Sequence, residues 1–209
     1  MQASPSFHST RARGFPQRVA AQMYYGAPGA LKTHIYVQRE GIGLDGKKPE
    51  LFTEKGKEVP TQAIEGEPRL WRVMVSPEKG QAIHDLQQYT RDFMHELNLR
   101  RDGDLLWCAA AHYNNGHPHS HILIRGLDSK HQEVFFDPHF VSYEARRIAS
   151  QLATLEIGHR TEWDIRTQIS RELVSERYTS IDRGIYIYAT GHDETLQMQP
   201  RNVIEQKRT

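Results

Sequence analysis

The sequence predicts an α+β fold, with a central antiparallel β-sheet flanked by helices. Three observations carry that expectation. The apolar runs and helical stripes follow the order strand, helix, strand, helix, hairpin, helices, which suits an antiparallel sheet with helices on its faces. Two strand-like runs, Leu105–His112 and His119–Arg125, flank a short segment containing Asn115-Gly116, a hairpin signal. A chain of 209 residues, 37% of them hydrophobic, also suffices for one domain with a real core.

Each element has its own signature. Residues 1–15 contain Ser and Pro and read as a flexible leader. Arg18–Tyr25 reads as a first strand, and Pro28 opens a helix that runs to Glu40 and stops at Gly41. Gly41–Gly66 is rich in Gly, Lys, Glu and Pro and reads as loop. Leu70–Val75 (LWRVMV) reads as a strand. Ser76 then suits a helix N-cap, with Pro77 at the first helical position. Ile83, Leu86, Thr90, Phe93 and Leu97 mark the buried stripe of that helix. After the hairpin a short strand is expected around Glu133–Phe136, then helices over about Ser142–Leu155 and Thr161–Tyr178. Ile148, Leu152 and Leu155 line the first of these; Ile165, Ile169 and Leu173 line the second. One folded domain is expected over residues 16–190, with a polar tail over 191–209. The final Gln206-Lys207-Arg208-Thr209 carries no helix stop, as if it leads into a further C-terminal region.

Composition narrows the function classes. Mean hydropathy is −0.70, and neither a membrane-length apolar run nor a signal peptide is present, so membrane insertion is not expected. A single cysteine, Cys108, excludes a disulfide framework and fits a reducing cytoplasm. The net charge of +1 argues neither for nor against nucleic acid, but its distribution is uneven. Met1–Arg39 holds no Asp or Glu, while Arg11, Arg13, Arg18, Lys32 and Arg39 are basic. Lys32 and Arg39 suit an anion-facing role as well as a solvated one.

The stretch AAHYNNGHPHSHILIRG, Ala110–Gly126, holds four of the chain's twelve histidines. Residues i and i+2 of a strand share a face, so His119 and His121 point the same way, with Leu123 and Arg125. If the hairpin pairs His112 with His119, then His121 is the near diagonal neighbour and small Ala110 lies opposite it, leaving room for an ion. Three imidazoles form a divalent-metal set that keeps positions open for water or a phosphate oxygen. The alternative is a polar hairpin tip that binds nothing. His117 reads as a loop residue able to touch substrate, and His139 as a structural or surface residue.

A second candidate is Tyr36 in THIYVQREG. On a helix it shares a face with Lys32 and Arg39, cations that favour a phenolate and attract phosphate. Tyr24 and Tyr25 compete with it on chemistry alone. Trp71, Trp107 and Trp163 suit either base stacking or the core.

Three segments in order carry a resemblance: Tyr36-Val37-Gln38-Arg39-Glu40-Gly41; VMVSPEKG with Ser76; and His112 followed, after six residues, by His119-Ser120-His121 at the end of HPHSH. They resemble the motifs of the relaxases of mobile plasmids and integrative elements, in the HUH endonuclease superfamily, and specifically the mobilisation class that includes the T-DNA border nickases. The similarity spans roughly Val19–Arg183. Two positions depart from the pattern. Ser120 stands where a hydrophobic residue is usual, and Asn114 and Gly116 stand where an acid is often found. Glu67 is then the candidate for orienting a ligand histidine.

The resemblance implies site- and strand-specific nicking of DNA at a transfer origin. Tyr36 would attack a phosphodiester, leaving a 5′-phosphotyrosine and a free 3′-hydroxyl. His112, His119 and His121 would hold a divalent metal, Mg²⁺ or Mn²⁺ with Zn²⁺ as a further candidate. Ser76, at a helix start, would face a DNA phosphate, and Lys32, Arg39, Arg72, Arg125 and His117 would contact the DNA. Implied partners are single-stranded or hairpin origin DNA, accessory relaxosome proteins and a type IV secretion coupling protein. The protein would be a monomer in the bacterial cytoplasm and travel with the DNA to the recipient. Competing readings are a three-histidine zinc hydrolase using metal-bound water, a replication initiator of the same superfamily, and a non-catalytic module that docks on the origin.

Overall fold

The structure is a computed structural model that describes residues 14–26, 38, 41–55, 69–101, 104–179 and 181–185. Tyr36, Lys32, Arg39 and Glu67 lie outside the described residues. So do most of the helix expected over 28–40, nearly all of the leader and the polar tail. The described residues fall into two compact units, Phe15–His159 and the described part of a second unit that takes in residue 14 and residues 160–185.

The first unit is α+β, as its sequence predicts. Its sheet has five antiparallel strands: β1 (Val19–Gly26), β2 (Leu51–Phe52), β3 (Leu70–Pro77), β4 (Trp107–His112) and β5 (His119–Arg125), in the order β1-β3-β5-β4-β2. Helices α1 (Leu86–Arg101) and α2 (Ala145–Ile157) pack on one face of it. Strand alternation sends Val19, Ala21, Met23, Val73, Val75, Ala109, Ala111, Ile122 and Ile124 to that face, where all are buried. Phe93, Met94 and Leu97 of α1 complete the core at 0% exposure. Burying each of these side chains stabilises the fold by about 1.5–3 kcal/mol. On the opposite face Leu70, Cys108, Ala110 and Leu123 form a smaller cluster, against which Leu51 packs.

Several boundaries differ from expectation. Ser76 does not begin a helix. It is in β3, paired with Ala20, and Pro77 closes the strand opposite Val19. A turn of 3-10 helix (Gly80–Ala82) follows, and α1 starts only at Leu86. The cap is Asp85, whose Oδ1 accepts the Gln87 and Gln88 N–H groups at 2.8 and 3.0 Å. Ser76 and Asp85 are equally able caps; β3 pairing takes the first and leaves the second to begin the helix. Ile83 thus precedes α1, although it is buried.

The Gly41–Gly66 stretch is not all loop, because β2 pairs Leu51 with Ala110 and Phe52 with Ala109. Phe52 sits edge-on to Trp107, their ring centroids 6.1 Å apart. No strand forms at 133–136; Glu133 makes one isolated bridge to Leu127, while Val134 and Phe136 reach the core from coil. A π-helical turn (Phe140–Glu144) leads into α2. Ile148 lines α2 as expected and Leu152 is half-buried, but Leu155 is 84% exposed. It lies roughly a quarter turn from the centre of the Ala145, Ile148, Ala149, Ala153 stripe.

In the second unit, α3 (Glu162–Leu173) opens with a capping box between Thr161 and Asp164 and ends five residues before Tyr178. Ile165, Ile169 and Leu173 are not buried there. Polar pairs on the helix's own surface support it instead, such as Arg166 with Glu162 at 2.6 Å. No described helix is long and apolar enough to cross a membrane.

Candidate metal centre

The hairpin register brings the imidazoles together. His112 stands opposite His119, and Ala110 opposite His121, as the spacing predicts. Strands β4 and β5 are joined through a 3-10 turn at Asn114–Gly116. Gly116 adopts φ 67°, a left-handed conformation costly for any residue with a Cβ, which is a local reason for glycine at this turn. The tip is tied down by Gln81, whose Nε2 donates to the Gly116 carbonyl at 2.8 Å.

The three rings form a near-equilateral triangle, with centroids 5.1, 4.9 and 5.0 Å apart. Their planes are inclined by 56°, 58° and 78°, so none stacks on another. One ring nitrogen of each lies within 4.8 Å of the others. Nitrogens bound at about 2.1 Å to one tetrahedral ion stand roughly 3.4 Å apart, so small rotamer adjustments would close the set. The cluster can therefore hold a metal ion.

Protonation suits the same role. His119 Nδ1 lies 2.8 Å from the His117 carbonyl, which can only accept, so Nδ1 is the donor there and Nε2 is the ring nitrogen left to face an ion. The orienting group for this histidine is thus a backbone carbonyl and not an acid. Burial, reinforced by repulsion from His112 and His119, pushes the His121 imidazole down to about 4 and keeps it neutral.

Gly41 closes one side of the centre. A Cβ built on it would stand 2.4 Å from Nδ1 and Cε1 of His112, so the glycine backbone lies directly against that ring. Its neighbour Ile42 accepts the Tyr113 N–H at 2.8 Å, which lays this segment along the end of β4. His112 is accordingly buried, while His119 and His121 are half-exposed and give access to the centre. Sequence reasoning read Gly41 as a helix stop and as the last residue of the Tyr36–Gly41 motif, and neither reading places it against His112.

Ser120 points away from the ligands, as alternation requires, but packing there is not loosened. Its Oγ lies 2.7 Å from Thr90 Oγ1 of α1, and Thr90 in turn donates to the Leu86 carbonyl at 2.6 Å. Thr90 has one hydroxyl proton, so Ser120 is the donor in their pair. This bond joins β5, which carries His119 and His121, to the helix layer.

Register places other expected residues on the histidine face. Arg72, paired with Leu123, is exposed there; Ser76 and Arg125 are half-buried on the same face. Met74 stands directly opposite His121. His117 is exposed beside the hairpin tip, and His139 is a surface residue with its ring 5.4 Å from Tyr143. Trp71 and Trp107 are core residues, whereas Trp163 is exposed in the second unit. Tyr25 faces the helix layer, where its hydroxyl donates to Glu133 at 2.7 Å and its ring packs on Trp71. A cavity of about 470 Å³, lined by Leu44, Lys48, His84, Asp85 and Tyr113, opens on the far side of β4 from the imidazoles. Comparison with protein-family models gives no match, and no curated protein is significantly similar to this chain.

Proposed function

We propose that this protein is a metal-dependent DNA nickase of the relaxase type, with Tyr36 as its nucleophile. The observation that carries this reading is the character of the histidine face. Three imidazoles share it with Arg72 and Arg125, and none of its paired strand residues is an Asp or Glu. Such a face attracts a phosphodiester. It offers no strand carboxylate to act as general base for water, which weakens the metal-hydrolase reading.

His112, His119 and His121 are the ligands. An all-nitrogen set favours Mn²⁺ or Zn²⁺ over Mg²⁺, which prefers oxygen. The ion would supply polarisation of the phosphate's non-bridging oxygens. The Tyr36 phenol gives up its proton as its oxygen forms a bond to phosphorus, the bond from phosphorus to the 3′-oxygen breaks, and that oxygen takes up one proton and leaves as a hydroxyl, so the proton count is unchanged. The phosphotyrosine keeps the diester linkage, so the reverse reaction can rejoin the strand. Chain connectivity supports the assignment. Tyr36 is five residues from Gly41, which limits their Cα separation to about 18 Å at full extension. Helical Gln38, two residues from Tyr36, donates to the Pro49 carbonyl at 2.9 Å, beside β2.

On this reading the partners are single-stranded or hairpin DNA of a transfer origin, accessory relaxosome proteins and a type IV secretion coupling protein. The test is incubation of the protein with single-stranded oligonucleotides tiling the DNA around its own gene, with Mn²⁺ and with EDTA. A covalent protein–DNA product mapped to Tyr36, and lost in Y36F and in EDTA, is the expected result. Cleavage that persists in Y36F would point to a hydrolase. Binding without cleavage under any divalent metal would point to a docking module.

A further inference from the structure

The histidine face extends beyond the metal centre, across β3 to the outer strand β1. The β1–β3–β5 pairing sets out two rows on it: Gln22, Met74 and His121 in one, Tyr24, Arg72 and Leu123 in the next. Tyr24 ends the second row and is 57% exposed. Its neighbour Tyr25 has its ring packed against Trp71 on the other face, so among the described β1 residues Tyr24 is the tyrosine that presents its ring here. The Tyr24 hydroxyl donates to Gln22 Oε1 at 3.1 Å, which tethers the ring along the strand. Beside it Arg72 is exposed, and one of its guanidinium nitrogens lies 3.5 Å from the point where a Cβ on Gly26 would stand. Two strand spacings and one two-residue step separate Tyr24 from His121, about 12 Å between their Cα atoms.

We propose that Tyr24 is a stacking platform for a base of single-stranded DNA, with Arg72 holding an adjoining phosphate, a few nucleotides from the phosphate bound at the histidines. This rests on the nickase reading and adds a subsite to it. An exposed aromatic ring beside a cation, on a face whose described strand residues include no carboxylate, matches what single-stranded DNA needs: a flat apolar surface for the base and positive charge for the backbone. The ring does the work here, and the hydroxyl is not a nucleophile.

The test is equilibrium binding of the full chain in EDTA, where no cleavage occurs, to two labelled probes of equal length: oligo-dT and an abasic deoxyribose-phosphate oligomer. Y24A should bind oligo-dT about 5- to 150-fold more weakly than wild type, and Y24F within roughly twofold of it. Neither substitution should change binding to the abasic probe. R72A should weaken both probes alike and lower the salt dependence by about one released counterion. Melting curves check that the Y24A protein is folded. If Y24A binds oligo-dT as wild type does, the stacking subsite is wrong while the nickase reading stands. If Y24F loses as much as Y24A, the hydroxyl is what binds and the stacking role is overturned. If wild type binds neither probe, both ideas fall.

Discussion

Replacing Gly41 with alanine tests whether the segment after Tyr36 is built into the metal centre. The new methyl would stand 2.4 Å from Nδ1 and Cε1 of His112 and 2.6 Å from its Cγ. Non-bonded carbon atoms settle at about 3.5–4.0 Å, so something must give by roughly 1 Å. Neither side yields easily. His112 is only 3% exposed and paired with His119, and Ile42 is tied to the Tyr113 N–H. Metal–ligand distances tolerate about 0.2 Å, so a ring displaced by several times that either loses its ion or distorts the site. Changes to groups that position a ligand typically lower metal affinity by about 10- to 100-fold, equivalent to about 1.4–2.8 kcal/mol, and G41A should fall in that range. Overpacking should also destabilise the metal-free protein by about 1–3 kcal/mol. The assay is Zn²⁺ or Co²⁺ titration against a chromophoric chelator, with melting curves in EDTA alongside. Gly184→Ala, with nothing within 4 Å of the added Cβ, is the control. Wild-type affinity in G41A would refute the argument, and with it the support that Gly41 lends to Tyr36.

Three further outcomes follow from the geometry. Thr90→Val should destabilise the protein more than Ser120→Ala. The first strands a fully buried Ser120 hydroxyl at a cost of about 1–3 kcal/mol, while the second removes one hydrogen bond worth about 1 kcal/mol; equal losses in urea denaturation would contradict this. In EDTA, stability should fall as pH drops from 6.5 towards 4, because His121 takes its proton in the unfolded chain near 6.5 and in the fold only near 4. His121→Gln should flatten that slope. Burial pushes the Cys108 thiol up to about 12, so iodoacetamide at mildly alkaline pH should leave the native protein unmodified and alkylate it only in denaturant.

The features legible in the sequence are those that short-range rules settle. Asn115-Gly116 marked the hairpin, and period-2 alternation then dictated that His112 meets His119 and that Ala110 meets His121. Alternation also sent Ser120 to the far side of β5. What waits there, the Thr90 hydroxyl, belongs to another element, and no local pattern predicts a polar pair inside an apolar layer. The contact of Gly41 with His112 is likewise tertiary; a glycine after a helical pattern reads first as a stop. β2 was missed because two apolar residues in a polar stretch show no period, and only β4 makes them a strand. Ser76 misled because Ser-Pro is a good helix start in isolation, yet its backbone is taken by β1. The α3 stripe misled in the other direction, since periodicity reports which side of a helix is apolar and not whether anything covers it.

The charge of the centre bears on what it is for. A structural site with thiolates neutralises its ion, and a site with carboxylates does so in part. Here three imidazoles contribute no negative charge, and the strand residues around them add only the positive charge of Arg72 and Arg125. The trio would therefore leave a divalent ion's charge unbalanced until an anionic ligand arrives. Water satisfies coordination but not charge; a phosphodiester satisfies both. Affinity for DNA on this face should rise when the ion is loaded and fall with salt in both states. An ion that raised thermal stability but left DNA affinity unchanged would mark the centre as structural, and the case for chemistry at it would lapse.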